Sequence, residues 1–226
     1  SENLLINYIE EGETHIKLNE FPQAVSKLTH AHELRPNEPY ILQRLVLATY
    51  KSKEPSELES LMQARTLLAQ LSPADSNDPE TTGLAGAIQK RLWLVARDPI
   101  QLDKAIEYYN RGFTIRKDYY NGENLASCLN LKSEIQGDPN QKTFYETAAK
   151  NTRLKLYDLL NELIDSHDFG DRNDKKWIYA TLANVCFHLE KNDDGNNNEA
   201  LFLAEKLASW EKDSYFASKA KIPNVR

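Results

Sequence analysis

Cysteine is scarce. Cys128 and Cys186 are the only two in 226 residues, too few for a disulfide framework in a chain of this size. Both have apolar neighbours and read as small buried hydrophobes. No Asn-x-Ser/Thr acceptor occurs, so the expected compartment is a reducing cytoplasm. Glycine and proline number 8 and 9, few for an all-β chain that needs a turn about every ten residues. A cationic excess is also missing: 28 Lys and Arg stand against 34 Asp and Glu, a net charge of -6. That argues against a broad phosphate-binding surface, and no nucleic-acid partner is expected, although a local basic groove is allowed. Apolar runs such as Leu45-Val46-Leu47-Ala48 fall far short of the ~18 residues of a membrane helix. Ser1-Glu2-Asn3-Leu4 has no basic region of a signal peptide. Neither end has a distinctive signature, which suggests an excerpt of a longer protein. What is present is globular in composition, 40% hydrophobic and 27% charged, and long enough to bury a core.

Catalytic and metal-binding patterns are missing too. The chain has no Gly-x-Ser-x-Gly elbow, phosphate-binding loop or Gly-x-Gly-x-x-Gly. Asp168-Phe169-Gly170 spells the metal-binding tripeptide of protein kinases, but no glycine-rich loop or His-Arg-Asp accompanies it. The stretch Glu190 to Leu201 echoes a calcium loop around Gly195, yet it puts Leu201 where a bidentate glutamate must stand. His15, His30, His32, His167 and His188 include no pair spaced to put two ligands on one helix face. No enzyme, cofactor or metal is expected.

The positive signal is repetition. Gly12 is followed by Ala24, Leu28, Ala31 and Pro36. Small residues at this spacing let two antiparallel helices approach closely, the larger one fills the gap beside them, and the proline stops the second helix. With Phe21 at the turn, the spacing resembles the 34-residue tetratricopeptide pattern. Ala105, Tyr109 and Gly112 repeat it, and Ile88, Leu92 and Val95 mark one apolar face. Asp78-Pro79, Asp98-Pro99 and Asp138-Pro139 each set a capping carboxylate before a proline suited to a first helical turn. The periodicity predicts helices at about 2–18, 21–34, 38–52, 56–71, 80–96, 100–115, 119–136, 141–167, 174–191 and 197–212. In the last hairpin Trp177, Leu182, Ala183 and Cys186 are expected to face Ala200, Ala204 and Leu207, with Trp93, Trp177 and Trp210 in the core. The expected fold is all-α, a tetratricopeptide-like right-handed superhelix of about five antiparallel hairpins. It forms a single domain over 1–226, with a possible sub-boundary at the breaker-rich residues 72–79 and a tail or short helix over 213–226.

A second resemblance lies between Glu80 and Lys132. The run Thr82-Gly83-Leu84-Ala85-Gly86-Ala87-Ile88-Gln89-Lys90-Arg91-Leu92-Trp93, the stretch Ala105 to Phe113, and Asp118-Tyr119-Tyr120-Asn121-Gly122-Glu123-Asn124-Leu125-Ala126 carry it. They resemble the helical-repeat region of bacterial multidomain proteins and of the apoptosis signal-regulating kinases, where it is described as binding tumour-necrosis-receptor-associated factors (TRAFs). The Gly86-x-x-x-Lys90 and Tyr120-x-Gly122-x-Asn124-Leu125-Ala126 elements are the matching motifs. The resemblance implies a non-catalytic scaffold or regulatory module of a larger signalling or stress-response protein.

In stacked hairpins the first helices line the concave groove. Lys90, Arg91, Asn124 and Lys132 fall on such helices and are candidates to grip a peptide carboxylate; the same residues also suit a solvated basic face or local salt bridges. Tyr119, Tyr120 and Asn121 open the fourth hairpin, as a peptide-contacting rim or as inter-helix packing. The expected partner is a protein or peptide, with no membrane. The alternatives are a small-ligand or nucleotide sensor, in which Lys90, Arg91 and Lys132 hold a phosphate, and a structural spacer.

Overall fold

The computed structural model describes residues 1–189, and among them it is all-α, without strands. The helices are α1 (Glu2–Lys17), α2 (Phe21–Leu34), α3 (Pro39–Ser52), α4 (Glu57–Leu68), α5 (Pro79–Ala96), α6 (Pro99–Arg116), α7 (Tyr119–Glu134), α8 (Pro139–Asp165) and α9 (Lys175–His188). Short 3-10 turns follow α4 at Ala69–Leu71 and α8 at Phe169–Asp171. The helix expected at 197–212, the loop 190–201, Trp210 and the segment 213–226 lie outside the described residues.

Several boundaries have a local cause. Asp78 accepts from the amides of Glu80 and Thr81, Asp98 from Ile100 and Asp138 from Asn140, so all three Asp-Pro pairs cap helices as their chemistry dictates. Ser56 caps α4: the Glu59 amide donates to Ser56 Oγ at 3.1 Å, and the Ser56 hydroxyl donates to the Glu59 carboxylate at 3.0 Å. Glycine is too scarce to end every helix, and Asn19, Lys53, Arg97 and Lys117 take the left-handed conformation after α1, α3, α5 and α6 instead.

The chain divides into two compact units, Ser1–Arg116 and Lys117 onward. Residues 72–79 lie within the first unit, between α4 and α5. Far from being loose, they are held by α6: Arg111 donates to the carbonyls of Pro73 and Ala74, and Arg116 Nε to that of Asn77 at 2.9 Å.

In the first unit, α1 to α6 pack as successive antiparallel hairpins, with α1 beside α2, α3 beside α4 and α5 beside α6. A Cβ on Gly12 would lie 2.7 Å from Leu28 Cγ, and one on Gly86 2.7 Å from the Tyr109 ring. Both glycines therefore mark the closest approach of a hairpin's two helices. Leu42, Val46, Tyr50, Leu61, Leu68, Leu84, Ile88 and Leu92 form the main core of this unit. Each fully buried leucine contributes on the order of 1.5–3 kcal/mol. Val95, expected on the face of Ile88 and Leu92, is instead 41% exposed, because the last turn of α5 stands outside that core.

In the second unit α8 packs along α7 and α9. Leu125, Cys128, Leu156, Leu160, Ile178, Leu182, Val185 and Cys186 are buried. Both cysteines are buried and outside any disulfide. Trp93 is buried as expected, but Trp177 is 37% exposed: in the first turn of α9 it is the adjacent Ile178 that turns inward.

Candidate functional site

The first helices of the first unit's hairpins lie side by side, α1 beside α3 and α3 beside α5. Polar side chains join them in a row. Arg44 of α3 makes a two-pronged contact to Glu13 of α1, Nε to Oε1 at 2.6 Å and Nη2 to Oε2 at 3.0 Å. Tyr40 donates to the same carboxylate at 3.0 Å. Burial first, and then that carboxylate, raise the Tyr40 phenol above its usual range. Gln43 Nε2 of α3 donates to Asp78 at 2.7 Å and to Thr81 Oγ1 of α5 at 3.1 Å. One carboxylate thus both caps α5 and docks it on α3.

At the other end of this layer the Arg91 guanidinium of α5 stands 5.1 Å from the centre of the Tyr50 ring of α3, a cation–π contact that holds a planar cation in place. Lys90 is half-buried beside it. Leu94, one helical turn on, is exposed and falls on the same stripe. The arrangement is a positioned guanidinium, an ammonium and an apolar side chain on one helix face.

The remaining candidates belong to the second unit. Tyr119, half-buried, donates to Asp174 Oδ2 at 2.9 Å, and Arg172 contacts the same carboxylate with Nε and Nη2, both at 2.8 Å. This cluster ties the start of α7 to the start of α9. Burial, then the hydrogen bond to Asp174, drives the Tyr119 phenol far above its ordinary pKa. The Arg172 contact holds the Asp174 carboxyl below its own. Asn121 corrects the expectation of a partner-facing rim. It has 0% exposure, and its Nδ2 donates to Asp118 Oδ2 at 2.7 Å while its amide donates to the same atom. It stabilises the α7 cap. Tyr120 is exposed. Asn124 Nδ2 donates to the Tyr120 carbonyl at 2.9 Å, and Lys132 Nζ lies 5.9 Å from the centre of the Tyr145 ring. The seven candidates therefore divide, with Lys90 and Arg91 in the first unit and the other five in the second.

The sequence reading missed Arg153, which is 7% exposed on the inner stripe of α8. Its signal was present: Ala149, Arg153, Leu156 and Leu160 share helical spacing, so one cation interrupts an otherwise apolar stripe. Burial lowers its pKa to about 10, with the Glu123 charge opposing.

Asp168-Phe169-Gly170 occupies the turn after α8, where Asp168 accepts from Ser166 Oγ at 2.6 Å. Among the described residues no group of three His, Cys, Asp or Glu side chains is placed to hold a metal, and no helix is long and apolar enough to cross a membrane.

These features define an all-α, tetratricopeptide-like helical-repeat protein. Residues 20–129 match the family model described as Tetratricopeptide Repeats-Sensor. The match runs from the start of α2 into α7, a little under half of the chain. No curated protein matches the chain.

Proposed function

We propose that the chain is a non-catalytic protein-interaction module, and that the α1–α3–α5 layer of its first unit receives an acidic peptide segment of a protein partner. The observation that supports this most is Arg91. Its guanidinium is fixed over Tyr50 at 5.1 Å, next to Lys90 and in line with exposed Leu94. A carboxylate-bearing segment meets a preorganised cation there, so little side-chain entropy is lost on binding. Repeats of this type generally mediate protein–protein interaction or scaffolding, which agrees with the match over residues 20–129. The role in the cell is that of the regulatory part of a larger signalling or stress-response protein, working in the cytoplasm. The TRAF-binding regions resembled by the Gly86–Lys90 and Tyr120–Ala126 elements are the precedent for it.

Selection from a displayed random-peptide library tests this. Peptides rich in Asp and Glu should be enriched on the parent and lost on a Lys90→Glu/Arg91→Glu variant of equal helicity and melting temperature. Enrichment of the same peptides on both would reject the site.

A second reading has one observation in its favour, the word Sensor in the description of the matching family. In that reading the module responds to a small ligand such as a nucleotide. A rise in melting temperature with millimolar nucleotide supports it, because a ligand that binds only the folded state stabilises that state.

A further inference from the structure

The second unit contains a buried cation without a buried anion to match it. Arg153 projects from α8 between α7 and α9. With the Asn130 amide turned so that its oxygen faces the guanidinium, both terminal nitrogens donate to it at 3.1 Å. Among the described residues the guanidinium has no other hydrogen-bond partner and no carboxylate within ion-pair distance. A guanidinium has five N–H donors, so its capacity is only partly used.

The surrounding groups do not supply the missing charge. Glu123 of α7 acts on Arg153 only at longer range, and its oxygens accept instead from Asn184 Nδ2 at 3.1 Å and Thr181 Oγ1 at 3.4 Å on α9. His188 bonds through Nδ1 to the Asn184 carbonyl at 3.0 Å, which leaves its Nε2 for another partner. Burial, and then the Arg153 charge, hold His188 towards its neutral form. A charge taken out of water without a direct counter-ion is costly, and here the groups in contact with it are neutral.

We propose that Arg153 is the floor of an oxyanion site on the face shared by α7, α8 and α9, taking the phosphate or carboxylate group of a small ligand, with His188 as a second donor. The guanidinium supplies the planar pair of donors that a phosphoryl or carboxylate group accepts. An arriving anion also offsets the positive charge that disfavours protonation of His188, and the imidazolium then donates through Nε2. Phosphate is the better match of the two, since a dianion satisfies both cations. Arg153 and His188 both lie outside residues 20–129.

The test is a titration of the full chain with sodium phosphate, with sodium acetate and, as control, with sodium chloride at matched ionic strength, followed by nitrogen-15 NMR of the arginine Nε–H and histidine ring signals. The expected result is a saturable shift of the Arg153 signal at millimolar phosphate and a rise of the His188 pKa in the same titration. Saturation with acetate at similar concentration would assign the site to carboxylates; saturation with phosphate alone would assign it to phosphoryl groups. Arg153→Met should abolish the response. Asn130→Asp covers the case in which that variant does not fold, because it places a carboxylate against Arg153. It should raise the melting temperature without phosphate and remove the phosphate response. Shifts that stay linear and match the chloride control would overturn the proposal, as would an Asn130→Asp variant that melts lower or still binds phosphate.

Discussion

Replacing Gly86 by alanine is the sharpest test of how the hairpins close. The added Cβ would lie 2.7 Å from both Cε1 and Cζ of Tyr109, well inside van der Waals contact. Tyr109 is itself 1% exposed, so its rigid ring has no free volume to enter and α5 and α6 must separate. A rigid, buried ring puts the overpacking cost at the upper end of the usual range, about 2–3 kcal/mol, offset by about 1 kcal/mol of helix propensity gained on replacing glycine. A net loss of about 1–2 kcal/mol corresponds to a fall of about 2–8 °C in melting temperature for a chain of this length. Gly12→Ala meets Leu28 at a similar distance, but a branched aliphatic chain adjusts more readily than a ring, so its loss should be smaller. A methyl group on Gly137 would meet nothing within 4 Å, and Gly137→Ala should change stability by less than about 0.5 kcal/mol. Thermal melts followed by circular dichroism read all three. A Gly86→Ala protein as stable as the parent, or more so, would refute the reasoning.

Further outcomes follow from local chemistry. Asp174 has a folded-state pKa held below the ordinary value of 3.8, chiefly by Arg172. It therefore stabilises the fold above that pH and loses the contribution as pH falls through its depressed folded pKa. Asp174→Asn should flatten the acid limb of the stability profile below about pH 4, and an unchanged limb would count against the cluster. Arg111→Ala releases two carbonyls of the 72–79 segment, so limited proteolysis there should speed up several-fold while cleavage elsewhere is unchanged. Lys53 sits after α3 at a φ of 55°, where a side chain costs about 1 kcal/mol. Lys53→Gly should accordingly raise the urea midpoint by a corresponding amount, and a lower midpoint would show that its exposed pairing with Glu57 matters more.

How much of this was legible in the sequence depended on the range of the interaction. The helices were readable because their causes are local: Asp-Pro caps, a proline stop after Ala31, and apolar residues at helical spacing. The hairpin contacts of Gly12 and Gly86 were readable as small residues at fixed offsets, although only the structure shows that Tyr109 fills the space above Gly86. Val95 and Trp177 were misplaced because periodicity gives the direction of a side chain and not whether a neighbour reaches it. Asn121 was misread for a related reason: a polar residue in a first helical turn suits a cap as well as a ligand, and the bond to Asp118 decides it. Arg153 was the most telling omission. Its position on the Ala149–Leu160 stripe marks it in the sequence, but that its direct partner is Asn130 and not Glu123 is a property of packing across three helices.

The central claim is that the Lys90–Arg91 face of α5 binds a protein partner. The most direct measurement is affinity capture from source-cell lysate by the parent and by the equally stable Lys90→Glu/Arg91→Glu variant, quantified by mass spectrometry. The account predicts a protein retained by the parent and depleted at least tenfold on the variant. Identical captures by the two proteins would contradict it.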